Sequence, residues 1–461
     1  MIPITLGEIA GITGGTLVNA EPSLSVTGPV EYDSRRIRPG GLFVAFEGEK
    51  VDGHAYAGPA VQAGAAAVLS TRDTGQPGVV VAEPLAALAA LARALVERLP
   101  DLTIVGLTGS SGKTTTKDYL GQLLSRLGPT IAPAGSLNNE LGFPYTVLQA
   151  TEQTRYLVLE MGARGIGHIS YLTGIARPRV GLVLNVGAAH LGEFGSVEGT
   201  ARAKGELVEA LPADGVAVLN ADDPLVSAMA SRTSARVLLT GESPAAAVRA
   251  TDVTLDEAGR ASYRLHFDGK IGNVRLGVAG RHQVANTLAA AGVALALGLG
   301  FEDVADALGA VGIASSRRMD VFARPDGVIV IDDSYNANPS STAAALHALA
   351  AMASSRRRVA VLGYMAELGD HERAGHEEVG RLAAELGVDR LVAVAENARP
   401  ILDGANGVDG WTGEAIFADD QATAIEIVQS DLHAGDVVLV KGSRYRTWDV
   451  VDALRPEEVR P

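Results

Sequence analysis

Residues Gly106–Leu120, GLTGSSGKTTTKDYL, decide how this chain is read. The apolar run TIVGL just before them reads as a short buried strand. TTTKDYLGQLLSRLG, after the turn, carries apolar residues at helical spacing and stops at Gly128 with Pro129 behind it. Strand, small-residue turn and helix in that order suit a phosphate cradle. Gly109, Ser110, Ser111 and Gly112 let the backbone wrap a phosphate with its N–H groups, and the helix N-terminus, from Lys113 through Thr114 and Thr115, adds partial positive charge. Lys113 has the reach for terminal phosphates, and the Thr114 hydroxyl suits a metal. The loop is not a strict Walker A: Leu107 stands five places before Gly112, with glycine one place earlier and again at Gly109.

Working outward, TIVGLTG, YLVLEMG, VGLVLNVG and GVAVLNAD are apolar runs of strand length that end in turn or polar residues. Alternation of such strands with helices predicts a parallel sheet covered on both faces. The pattern restarts with GVIVIDDSYN, RRVAVLGYM, RLVAVAEN and DVVLVKGS, a second doubly wound unit. Before the phosphate-loop strand, short strands mix with an alanine-rich helix around PLAALAALARALVERLP. The expected organisation is α/β with three domains, residues 1–100, 101–314 and 315–461. They are a small N-terminal α/β domain, a central phosphate-loop domain with a parallel sheet, and a C-terminal Rossmann-like domain.

Composition agrees with that size. A chain of 461 residues suggests about three domains, and 47% hydrophobic with 20% charged residues describes a globular protein. The most apolar windows are too short or too interrupted to span a bilayer, and no secretory leader is expected. A formal charge of -15 without a basic face argues against general nucleic-acid binding. Cysteine is absent, which removes disulfide and thiolate chemistry and permits a cytoplasmic address.

Polar groups at the carboxyl ends of parallel strands face the crevice where ligands bind. Glu160 follows YLVL, His190 closes NVGAAH, and Lys204 lies in ARAKGEL on the next helix. A carboxylate and an imidazole at successive strand ends beside a phosphate loop suit magnesium, held directly or through water.

These residues resemble the Mur ligase family of ATP-dependent amide-forming enzymes of peptidoglycan precursor synthesis. The resemblance runs almost end to end: DSRRIRPGGLFVAFEGEKVDGHAYAGPAVQAGAAAVL from Asp33, TGSSGKTTT in the loop, GVAVLNADDP, and GRHQVANTLAAAGVA from Gly280. GSLNNELGFP, LEMGARGIGHI, DDSYNANPSS, AELGD and LVKGSR resemble the branch that acts last in the series. The sibling that adds the third amino acid typically has a histidine-containing motif where this chain has Asp333-Ser334-Tyr335-Asn336.

The resemblance implies joining of D-alanyl-D-alanine to UDP-N-acetylmuramoyl-tripeptide through an acyl phosphate, with ATP and two Mg2+ ions. It implies Lys113 on the transferring phosphoryl group, Thr114 and Glu160 serving magnesium, His190 at a second metal, and Lys204 as a carbamate. His282 and Asn286, four apart at a helix start, face one ligand and match the family's adenine contacts. Arg318, Asp333 and Asn336 resemble its phosphate and ribose or base contacts, with Arg317 an open alternative to Arg318. Ser34, Arg35 and the Gly48 turn match the part that holds the uridine diphosphate. Asn138 and Asn139 approach sugar or peptide, and Lys441, Ser443 and Arg444 match a grip on the dipeptide carboxylate. The chain departs at Gln283, Thr287 and Tyr364, where asparagine, alanine and aspartate are usual. A monomer without nucleic-acid or membrane partners is expected. A tripeptide-forming or folate-polyglutamylating relative, a phosphate-loop switch and a non-catalytic scaffold remain alternatives at this level.

Overall fold

The central sheet is built around the strand that feeds the phosphate loop, Thr103–Thr108. The structure, a computed structural model, describes residues 1–48, 51–187, 194–443 and 447–456. Among them that sheet has nine strands. Thr103–Thr108 pairs in parallel with Tyr156–Glu160 on one side and Val180–Val183 on the other. Val216–Asn220 and Arg236–Gly241 continue the parallel run. Alternate residues go to opposite faces, as the period of two requires. Ile104, Leu157, Leu159 and Val183 enter one core cluster, and Val105, Leu107, Val158 and Leu182 enter the other. Each such side chain, removed from water, contributes roughly 1.5–3 kcal/mol.

The strands read from sequence are present, and so is the phosphate-loop helix, Lys113–Leu124. The far edge of the sheet differs from simple alternation of strand and helix. Val248–Leu255, Arg260–Phe267 and Lys270–Ala279 form an antiparallel meander. Its inner residues Leu265, Val274 and Leu276 pack in the same cluster as Phe301, Val304 and Leu308 of the helix Phe301–Ala310. A sheet covered on one face alternates apolar with polar residues, so these strands lack the continuous apolar runs of the parallel ones.

The N-terminal region has a five-stranded sheet, parallel except for its edge strand Thr16–Val18. Its helices Leu6–Thr13 and Pro84–Glu97 share a core cluster with Ile169 and Leu172 of the central region. The C-terminal sheet has six strands in the order Asp320–Ala323, Ile329–Asp333, Val437–Lys441, Arg358–Gly363, Arg390–Val394 and Glu414–Ala418. Only the first is antiparallel to its neighbour. Because Val437–Lys441 lies between Ile329–Asp333 and Arg358–Gly363, consecutive strands leave to opposite sides and a crevice opens at their carboxyl ends. That crevice faces the phosphate loop.

Candidate active site

The phosphate loop is held from inside. Gly112 has φ +78°, and a Cβ there would sit 2.4 Å from Asn286 Oδ1, so both backbone and space demand glycine. A Cβ at Gly109 would meet Leu184 Cβ at 2.9 Å. Asn185, at the end of the neighbouring strand, accepts the N–H groups of Ser110 and Ser111 on Oδ1 at 3.0 and 2.9 Å and donates from Nδ2 to Ser111 O at 3.2 Å. Sequence reading did not single out Asn185; its only signal was a polar residue at a strand end. The first N–H groups of the following helix have no intrahelical acceptor.

Lys113 folds back in this state, its Nζ donating to Gly109 O at 2.8 Å. Burial and the Arg318 charge lower its pKa, with Glu160 and Glu367 opposing. Glu160 is buried and accepts three hydrogen bonds, from Thr114 Oγ1 at 2.9 Å, Ser136 Oγ at 2.8 Å and Asn138 Nδ2 at 2.7 Å. Asn139 caps the next helix, with Oδ1 accepting from Gly142 N at 2.8 Å. Lys204 lies on the helix Val197–Glu209 and is 2% exposed. Burial pushes its pKa well down, and the Lys113 charge pushes the same way. Among the described residues no carboxylate neutralises it. His190 lies outside the described residues.

From the C-terminal region, Arg318 reaches across to Thr114, its Nη2 3.4 Å from Oγ1. Its guanidinium lies over the Tyr335 ring, 4.2 Å from the centroid, and its buried Nε has no hydrogen-bond partner among the described residues. Arg317 turns away, pairs with Asp452 at 2.8 Å and stacks on Trp448. Asn338, the N-cap of the helix Pro339–Ala353, also bridges the two regions by donating from Nδ2 to Ser110 O at 3.3 Å.

Two adjoining hollows result. The larger, about 440 Å³, is walled by the phosphate loop from Ser110 to Thr114, by Asn138, Asn139 and Glu160, and from the other side by Arg318, Tyr335, Asn336 and Glu367. The smaller, about 140 Å³, brings Gly112, Thr114 and Thr115 together with His282, Asn286, Arg318, Asp333 and Lys441. Asn286 donates to Gln283 Oε1 at 3.0 Å, the same oxygen that accepts from Tyr119 Oη at 2.9 Å. His282 Nδ1 has no partner among the described residues, and burial lowers its pKa.

Other residues named from sequence lie elsewhere or are already engaged. Lys441 is buried, with its ammonium bound by the Asp333 carboxylate and by Asn336 O at 2.9 Å. Ser443 is buried as well, its Oγ donating to Ala337 O at 3.1 Å and accepting from Ala366 N at 3.4 Å. Arg444 lies outside the described residues. Ser34 and Arg35 form a helical turn in the N-terminal region, where Arg35 points to solvent and pairs with Asp33 at 2.7 Å. Arg36 is the arginine aimed at the central region, 3.5 Å from Tyr145 Oη, which donates to buried Glu31 at 3.0 Å. Gly48 sits in a turn, its N–H donating to Val51 O at 3.2 Å.

The hard oxygens of Thr114 and Glu160, on one wall beside the N-terminus of the phosphate-loop helix and opposite an arginine from another region, are groups chemically suited to a polyphosphate and a small divalent cation. Comparisons with known proteins agree with this chemistry. The chain matches the Mur ligase middle domain over residues 107–294, the Mur ligase glutamate ligase domain over 317–444, and the Mur ligase family catalytic domain over 29–103. It is 48% identical to the UDP-N-acetylmuramoyl-tripeptide–D-alanyl-D-alanine ligase of Mycobacterium bovis, across 100% of both chains. Among solved structures, MurF from Acinetobacter baumannii superposes with a TM-score of 0.86 at 34% identity, covering 98% of each chain. MurF ligase from Thermotoga maritima in complex with ADP gives 0.77 at 30% identity, over 93% of this chain and 97% of that one.

Proposed function

The chain belongs to the Mur ligase family, and from that membership we infer its reaction, the ATP-dependent joining of D-alanyl-D-alanine to the terminal carboxylate of UDP-N-acetylmuramoyl-tripeptide. It is an amide-forming ligase of peptidoglycan synthesis. The observation that carries this reading is the end-to-end 48% identity to an enzyme of that name. The same match favours it over the tripeptide-forming and folate-type relatives.

A carboxylate resists attack by an amine because the attack pushes charge onto an anion and must expel oxide. In the reaction, a carboxylate oxygen attacks the γ-phosphorus of ATP, the bond to the β–γ bridging oxygen breaks, and ADP leaves. The dipeptide amine then attacks the acyl carbon, the C–O bond to the phosphoryl group breaks, and phosphate departs with that oxygen while the amine's proton passes to solvent. Positioning and charge neutralisation supply most of the rate. Lys113 leaves the Gly109 carbonyl to meet the phosphates, and Arg318, whose buried Nε–H has no partner among the described residues, meets them from the opposite wall. Thr114 and Glu160 are the described residues fitted to hold magnesium, which when bound would offset phosphate charge; from the family resemblance we assign His190 to the same role. We assign the smaller hollow, with His282, Asn286 and Asp333, to the nucleoside. Asn138, Asn139 and Asn336 we place beside the acceptor peptide and nucleotide, and Ser34, Arg35 and Gly48 on the uridine side.

Lys204 in its buried setting is an amine held toward the neutral form, the form that adds to carbon dioxide with loss of a proton and yields a carbamate. We assign it that role: a cation that feels the Lys113 charge becomes an anion able to serve a metal. We infer a monomer from the same resemblance. Among the described residues no helix is long and apolar enough to cross a membrane, and we assign the enzyme to the cytoplasm, where its nucleotide substrates are used.

The test is phosphate release with magnesium and ATP, adding the muramyl tripeptide and the dipeptide singly and together. Release that needs both, with the pentapeptide product seen by mass, is expected. Release indifferent to either substrate would contradict the assignment.

A further inference from the structure

One buried ion pair takes no part in the reaction as described. Lys117 and Asp118, in the second turn of the phosphate-loop helix, are 2% and 4% exposed, with Nζ 3.0 Å from Oδ1. Two buried charges are tolerated only when their remaining hydrogen-bonding positions are filled. Here the fillers come from two distant segments. Lys117 donates to the carbonyls of Pro133 and Gly135. Asp118 Oδ2 accepts the N–H groups of Ala314 at 3.1 Å and Ser315 at 2.8 Å, and Oδ1 accepts Ser315 Oγ at 3.1 Å. Ser315 Oγ closes the circuit by accepting from Gly135 N at 2.9 Å.

Three parts of the site meet in this knot. The first is the phosphate-loop helix itself. The second is the segment from Pro133 to Asn139, whose Ser136 and Asn138 hold Glu160. The third is the connector to the C-terminal region, which delivers Arg318 three residues after Ser315. One turn further along the helix, Gln122 makes a second tie to the connector, exchanging bonds of 2.7 and 3.0 Å with Gly312. On its other flank the connector faces a cavity of about 940 Å³, bounded by Val278, Ala279, Met319 and Phe322, so packing restrains it little there. Beyond the knot, Arg317 and Met319 have φ of +59° and +49°, a backbone state that L side chains rarely adopt.

We propose that Asp118 is a positioning residue for the ligase reaction. It pins the connector at Ser315 to the phosphate-loop helix, so that the C-terminal region turns about residues 316–319 from a fixed pivot and Arg318 arrives in register with the phosphates. The proposal rests on the reading of Arg318 as a phosphate contact. It assigns the register of that contact to a carboxylate that touches no substrate.

A double-mutant cycle on the full chain tests it, with kcat and the KM for ATP read for Asp118→Asn, Arg318→Ala and the pair. Asn keeps the shape but sets an amide N–H against a donor. Asp118→Asn is expected to lower kcat by roughly 10- to 30-fold, as coupled sites in contact through one segment do, with KM for ATP changed less than about threefold. In the Arg318→Ala background the same change is expected to cost nothing more. Ser315→Ala, which keeps both backbone bonds to Asp118, is the gentler variant should Asp118→Asn fold poorly. It is expected to lose about three- to tenfold in kcat with the same dependence on Arg318. Multiplying losses in the double variant would overturn the pinning role alone. A wild-type kcat for Arg318→Ala would overturn the functional reading of Arg318, and the pinning role with it.

Discussion

Arg317 and Arg318 are neighbours whose side chains leave the backbone in opposite senses, and the left-handed φ of Arg317 is what separates them. Arg317 spends its charge on Asp452, while Arg318 crosses to Thr114. No sequence pattern distinguishes two adjacent arginines, so only the fold separates their roles. Lys441 is a similar case: its place at a strand end was legible, but its burial against Asp333 depends on two strands being neighbours. Lys204 was legible as a candidate, yet its burial beside Lys113 was not. In CO2-free buffer that burial carries a stability cost with a definite sign. The folded-state pKa lies below the ordinary lysine value, so the unfolded chain binds more protons between the two, and stability rises with pH through that window. Lys204→Met should remove the cost at neutral pH, raising the melting temperature by about 2–4 °C per kcal/mol recovered. It should lower ligase turnover by about 10²-fold or more, the order expected for losing a charged group at the reacting centre. Calorimetry paired with a phosphate-release assay checks both, and unchanged turnover would end the carbamate assignment.

Elements were the most legible scale wherever strands are buried on both faces. YLVLE and VAVLN are continuous apolar runs because helices cover both sides of the sheet, and the polar residue closing each run is the one delivered to the crevice. The antiparallel meander from Val248 to Ala279 was not legible in that way, since only one of its faces is packed. Asn185 is the instructive omission. It closes the strand run VGLVLN like any polar end residue, yet its side chain shapes the phosphate loop by taking two backbone N–H groups. Asn185→Ala would strand the Ser111 N–H at about 1–3 kcal/mol, while the Ser110 N–H keeps the backbone carbonyl of residue 185 at 3.1 Å. The KM for ATP should accordingly rise by roughly 5- to 100-fold, with kcat changed less. Steady-state kinetics with ATP varied would show it, and an unaltered KM would mean the loop holds its shape without the asparagine.

At the scale of the whole molecule, the central and C-terminal sheets place their ligand-facing ends around one space, and neither region alone contains the site. The phosphate loop and Glu160 come from the central sheet, Arg318 and Asp333 from the C-terminal one, and Arg36 with Glu31 abuts the central region at Tyr145. This arrangement fits a reaction that must hold a nucleotide, a long acceptor and a dipeptide at once, with bond formation between the central and C-terminal regions. The proposed reaction stands on passage of ATP's terminal phosphate to a peptide carboxylate. The direct measurement uses muramyl tripeptide carrying 18O in both oxygens of its terminal carboxylate and follows the inorganic phosphate by mass. One 18O in each phosphate released is the predicted result, because the phosphorylated oxygen leaves with phosphorus. Phosphate free of 18O while the pentapeptide accumulates would contradict the account.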